Sequence, residues 1–92
     1  MKTSEVIDKF LDKDFNFHAN SVSSEEDRLF SYSTIIGQWF NNTLLINITK
    51  YSVTTSRHQN YLIIFADRKG IKYYTVSDIS RGTCDLSYLY HG

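Results

Sequence analysis

Ser56, His58 and an aspartate such as Asp67 are the residue types of a nucleophilic triad: a serine to attack, an imidazole to take its proton and a carboxylate to orient the ring. Their spacing defeats that chemistry on a helix. Side chains two apart point about 200° away from each other, so a helical Ser56 cannot donate to His58. His18, His58, His91 and Cys84 have affinity for transition metals, yet they form no Cys-x-x-Cys or His-x-x-x-His pair. No metal and no other cofactor is therefore expected. Gly37, Gly70, Gly82 and Gly92 are scattered, which excludes a glycine-rich phosphate loop. The carboxylate pairs Asp12 with Asp14 and Glu25 with Glu26 sit in polar runs and read as solvated. The expectation is a protein that is not an enzyme.

Binding chemistry is present in two places. Thr54 to Asn60 gathers hydroxyls, a cation and the free amides of a helix start, which together suit a phosphate or carboxylate. Arg, Gln and Asn also read base edges, so Thr55, Ser56, Arg57, Gln59 and Asn60 are candidates for an anion or nucleic-acid site. The second place is the aromatic surplus. Seven tyrosines, six phenylalanines and Trp39 exceed what a small core readily buries, and Tyr with Arg is the composition of interface hot spots. The candidate partner-binding set is Arg57, His58, Arg68, Lys69, Lys72, Tyr73 and Tyr74, with Tyr88 and Tyr90 as further exposed aromatics.

These side chains must be positioned by a small fold. The chain has 92 residues, of which 41% are hydrophobic and 15% aromatic, enough for one domain over residues 1–92 and too apolar for disorder. Val6, Ile7, Phe10 and Leu11 form one helical stripe within Thr3 to Lys13, with Thr3 or Ser4 as the cap. Phe15 to Asn20 alternates with a period of two and reads as a short strand, and the polar run Ser21 to Asp27 as a loop. Leu29 to Phe40 reads as one strand with a bulge or bend at Gly37, turning at Asn41-Asn42 into Thr43 to Thr49. The run Tyr61 to Phe65 has the composition of a buried strand. Against that, Ser56 and Gln59 form a capping box, and Arg68, Lys69 and Gly70 are stop signals, which favours a helix from about Ser56 to Arg68. Its buried face would hold His58, Tyr61, Leu62, Phe65 and Ala66, and Ile71 to Ser77 would return as a strand. The predicted class is α+β: an N-terminal helix, an antiparallel sheet containing the 29–49 hairpin, and a second helix near 56–68.

Ten basic and ten acidic residues cancel overall, which excludes a strongly basic nucleic-acid binder. Their distribution is uneven. Seven acids and four bases precede Leu29, whereas three acids and six bases follow Phe30. Acidic and basic faces with surplus apolar surface predict a symmetric homodimer. A single cysteine, the lack of a leader-like apolar run and the lack of any stretch of about 20 apolar residues predict a cytoplasmic protein without a membrane partner.

The run Lys50-Tyr51-Ser52-Val53-Thr54-Thr55-Ser56-Arg57-His58-Gln59-Asn60, with Phe30-Ser31-Tyr32-Ser33-Thr34 upstream, resembles a family of small proteins of unknown function from bacteriophages and mobile elements. The resemblance covers residues 29 to 62. It implies no catalytic residue, only a setting: an accessory protein in the cytoplasm of a host cell. In that setting the expected function is stoichiometric binding to a host protein, such as a CRISPR effector or another defence component, as an anti-CRISPR does. The alternative is a small nucleic-acid-binding or regulatory protein that uses the 54–60 helix start.

Overall fold

Val6, Ile7, Phe10 and Leu11 are all buried along α1 (Thr3–Leu11), as their spacing requires. The computed structural model describes residues 2–80, 82, 83, 85 and 86. The helix is capped from Lys2 rather than Thr3 or Ser4, with the Glu5 carboxylate accepting from the Lys2 amide at 3.1 Å. It ends at Leu11, and Lys13 already has a φ of 61°. The Trp39 indole donates to the Phe10 carbonyl at 2.9 Å, a side-chain donor for a helix end where carbonyls lack intrahelical partners.

Residues 15–20 do not form the predicted strand, because Asn16 turns the backbone to a φ of 71°. The segment is instead laid against the edge of β1 (Val22–Glu25) through a single bridge, His18 to Ser23. The Ala19 amide donates to Val22 O at 2.7 Å and the Ser24 amide to Phe17 O at 2.8 Å. Phe15, Phe17 and Ala19 still face the core as their alternation implies. The strand thus lies within the run predicted as loop. Backbone pairing, not apolar alternation, makes Val-Ser-Ser-Glu extended.

Leu29 to Phe40 is two strands, β2 (Arg28–Ser31) and β3 (Thr34–Phe40), where one was predicted. The turn between them holds Tyr32 at a φ of 57°, a conformation rare for a bulky residue and not signalled by Gly or Asn. A tertiary bond supports it: the Tyr32 amide donates to Ser21 O at 2.7 Å. The register slips between Leu29 and Phe30, so Ile36 is the extra residue of a bulge. Gly37 has a different use. A Cβ there would lie 2.9 Å from Leu62 Cδ2 and 3.3 Å from Phe10 Cε2, so its small size lets both helices reach the sheet.

The predicted hairpin is present. β3 pairs antiparallel with β4 (Thr43–Asn47) across Asn41 and Asn42, whose φ values of 51° and 63° match the turn that suits strand twist. The segment Tyr61–Phe65 is helical, within α2 (Val53–Arg68). The helix begins earlier than predicted because Ser52, not Ser56, caps it, its hydroxyl accepting from the Thr55 amide at 3.1 Å. Gly70 leaves the helix at a φ of 69°. β5 (Tyr73–Val76) then pairs parallel to β4, since the helical crossover returns the chain to the same end of the sheet. The α+β class holds, with a five-stranded sheet in the order β1-β2-β3-β4-β5 whose first four strands are antiparallel.

Both helices cover one face of the sheet, where Ile7, Phe10, Leu29, Ile36, Leu44, Ile46, Leu62 and Ala66 make the main core. On the other face Ile35, Leu45, Ile79 and Leu86 pack together. The Gln38 amide anchors the chain there, donating to Asp85 at 3.0 Å and accepting from the Leu86 amide at 2.6 Å. No helix among the described residues is long and apolar enough to cross a membrane.

Candidate functional site

The face that α2 turns to the sheet is unusually polar in its first two turns. Thr55, His58 and Gln59 are buried there, ahead of Leu62 and Ala66. His58 Nδ1 meets the Ser31 hydroxyl of β2 at 2.6 Å, and Ser31 donates to Thr55 Oγ1 at 3.2 Å. The opposite ring nitrogen, Nε2, lies 3.4 Å from the Ser21 hydroxyl. Each ring nitrogen faces a hydroxyl that can either donate or accept, so a neutral imidazole is satisfied at both. Burial pushes the His58 pKa below its ordinary value, and among the described residues its hydrogen-bond partners are hydroxyls. The Gln59 amide donates to Asn47 O at 2.6 Å and Thr49 O at 2.9 Å, so both its donors close the link between β4 and α2.

This arrangement dissolves the candidate anion or nucleic-acid cluster. Thr55 and Gln59 turn inward with their polar groups engaged, Ser56 is half-buried, and only Arg57 and Asn60 are exposed. The base-reading set is thereby reduced to two side chains. His58 likewise leaves the partner-binding set, being a buried hydrogen-bonded histidine that fixes the helix on β2.

The other partner-binding candidates do not share one surface. Tyr73 and Tyr74 point to opposite faces of β5. Tyr73 is half-buried against the helix-side core, where desolvation and, secondarily, Asp67 raise its pKa, whereas Tyr74 is 54% exposed. The Lys69 ammonium lies 2.9 Å from Asp8 of α1 and 3.0 Å from Asp12, which caps that helix, and these hydrogen bonds raise its pKa. It clamps the two helices together rather than standing free for a partner. Some of the charge asymmetry that predicts a dimer is therefore satisfied inside the chain. Arg57, Arg68 and Lys72 remain exposed.

Of the predicted core face of α2, His58, Leu62 and Ala66 are buried and Phe65 packs against the core, while Tyr61 turns outward. Tyr61, predicted inward, is 44% exposed, and Ile64 is 43% and Val53 74% exposed. Val53, Arg57, Tyr61, Ile64 and Arg68 recur every three or four residues and so form one outward stripe. The Tyr61 ring stacks on Phe65 with centroids 6.2 Å apart and planes at 21°. Phe65 in turn lines a groove of about 440 Å³ between α1 and α2, with Ser4, Glu5, Asp8, Arg68 and Lys69 around it. The missed signal lay in the interval pattern of Arg57, Tyr61, Ile64 and Arg68, four, three and four residues apart.

Among the described residues no three His, Cys, Asp or Glu side chains gather to hold a metal ion. The candidates Cys84 and His91, and the aromatics Tyr88 and Tyr90, lie outside the described residues.

Comparison with known proteins adds one relationship. No curated protein and no solved structure matches the chain. A model of a family of unknown function (DUF8033) matches residues 6–79, a longer span than the 29–62 resemblance, from the buried stripe of α1 to Ile79 beyond β5. The chain belongs to that family of unknown function, DUF8033.

Proposed function

We propose that this protein works by stoichiometric binding to a partner protein, without catalysis, and that the outer face of α2 is its contact surface. The observation that carries this reading is the stripe Val53, Arg57, Tyr61, Ile64 and Arg68, which places apolar and aromatic side chains in solvent beside two exposed arginines. Solitary exposed apolar residues are ordinary; here Tyr61 and Ile64 adjoin on one helix face with Val53 beyond Arg57, and that clustering supports the reading. Tyr and Arg are also the residues over-represented among those that carry interface energy. The resemblance over Lys50 to Asn60 supports a setting for this activity: a phage-type accessory protein in a bacterial cytoplasm, blocking a host defence component in the manner of an anti-CRISPR.

The test uses the chain as bait in extract from a bacterial host, beside Tyr61→Ala and Arg57→Ala variants of unchanged circular dichroism. The expected result is recovery of one host protein at near-equal molar ratio with the unaltered chain, and its loss with both variants. Turnover of a substrate at catalytic ratios, abolished by one side-chain change that leaves the fold intact, overturns the reading.

A further inference from the structure

Arg57, Tyr61, Ile64 and Arg68 are separated by four, three and four positions, so the order of charge and apolar group reads the same from either end. At 3.6 residues per turn the four fall within about 60° of the helix circumference, and the two arginine backbones stand about 16 Å apart along the axis. Neither arginine has an ion pair among the described residues. Within α2 their neighbours three and four positions away, Val53, Thr54, Asn60, Tyr61, Ile64 and Phe65, are uncharged, so the helix does not neutralise them. Glu5 shares the groove with Arg68, but its carboxylate accepts from the Lys2 amide, and Asp8 holds Lys69.

This symmetry decides between occupants. A second copy docking α2 on α2 sets arginine against arginine in both the parallel and the antiparallel direction, a like-charge contact that interfaces avoid. An extended peptide fails for another reason. Spanning about 16 Å takes about five strand residues, and positions five apart in a strand point to opposite sides, so one of its two carboxylates faces away. A helix returns to the same face after 11 residues.

Resting on the reading of this stripe as a binding surface, we infer that its partner is an acidic amphipathic helix. It presents two carboxylates 11 positions apart with two apolar residues between them. The carboxylates pair with the guanidinium groups of Arg57 and Arg68, whose planar donors suit bidentate contact. The apolar pair lies on Tyr61 and Ile64, the helix-in-groove mode of recognition. The groove lined by Phe65 receives one bulky apolar side chain from the partner.

The probe is a fluorescein-labelled, alanine-rich 18-residue peptide with Glu at two positions 11 apart and Leu four and seven positions after the first, titrated with the full chain and followed by anisotropy. A second peptide carries Lys in place of both Glu. The expected result is binding of the Glu peptide and at least a tenfold loss with the Arg57→Glu, Arg68→Glu double variant. That variant, with its circular dichroism unchanged, gains affinity for the Lys peptide. Equal binding of the two peptides, no binding of either, or indifference to the charge reversal overturns the inference. Steeply salt-dependent binding of a 20-base-pair duplex that displaces the Glu peptide overturns it as well. A host protein lost by Tyr61→Ala but indifferent to the double charge reversal refutes the acidic helix and leaves stoichiometric binding standing. Absence of both peptide binding and host-protein capture refutes the two together.

Discussion

Ser31 and His58, 27 residues apart in the chain, meet at 2.6 Å between hydroxyl and Nδ1, and this contact seats the first turns of α2 on β2. Because burial lowers the His58 pKa in the folded chain, the folded state binds fewer protons than the unfolded state as pH falls below the ordinary histidine value of about 6.5. The resulting stability is fully present above that value and is lost progressively as pH drops toward the folded pKa. Urea denaturation at pH 7.5 and at pH 5 should give a lower midpoint at pH 5, and His58→Gln should flatten that difference. A His58 titration by NMR with a midpoint above 6.5 would refute the assignment.

Leu62 is fully buried between α2 and the sheet. Leu62→Ala should destabilise the protein by about 2 to 5 kcal/mol, through lost transfer energy and the cavity left behind. Equilibrium denaturation measures this directly, and a loss under about 1 kcal/mol would show that α2 does not pack as described.

Gly37→Ala adds one methyl group at the point where Leu62 and Phe10 converge. It should cost about 1 to 3 kcal/mol, the range for inserting a methylene into a packed core, although alanine suits a strand better than glycine does. Combination with Leu62→Ala should recover part of the loss, because the shortened side chain clears the space the new methyl requires. Strict additivity of the two changes in a denaturation cycle would show that the two sites do not touch.

Lys69→Met removes the cation shared by Asp8 and Asp12. Its groups are partly solvated, so the loss should be small, about 0.2 to 1 kcal/mol for an exposed pair, and should shrink in 0.5 M salt. Melting at low and high salt tests this; an equal difference at both would mean that the lysine acts through packing of its methylenes.

Tyr61→Ala removes a ring that is 44% exposed and stacks on Phe65, so it should cost about 1 kcal/mol, the usual size for a point change. Partner affinity should fall about 30-fold, which corresponds to about 2 kcal/mol. Tyr73→Ala should show the reverse pattern, with more stability lost and affinity kept, since Tyr73 packs on the helix-side core.

Local chemistry alone determined the features whose causes lie within a few residues. The stripe of α1, the Asn41-Asn42 turn, and the stop at Lys69 and Gly70 depend on side-chain periodicity and on which residues tolerate positive φ, and both are legible in the chain. Other features required partners distant in sequence. Tyr32 adopts a left-handed turn because Ser21 holds its amide, and Val22–Glu25 is extended because β2 pairs with it, neither of which has a composition signal. The candidate site shows the same division. The residue types Arg57, Tyr61, Ile64 and Arg68 are legible in the sequence, and so is most of the face of α2 that meets the sheet, since His58, Leu62 and Ala66 are buried and Phe65 packs on the core; the outward turn of Tyr61 is not. Hydropathy favours Tyr61 as core beside Phe65, whereas the buried hydrogen bonds of Thr55 and His58 with Ser31, and those that Gln59 donates to the Asn47 and Thr49 carbonyls, turn the helix and leave Tyr61 in solvent. Polar residues can line a buried face only when partners on other strands satisfy them, and those partners exist only in the folded chain.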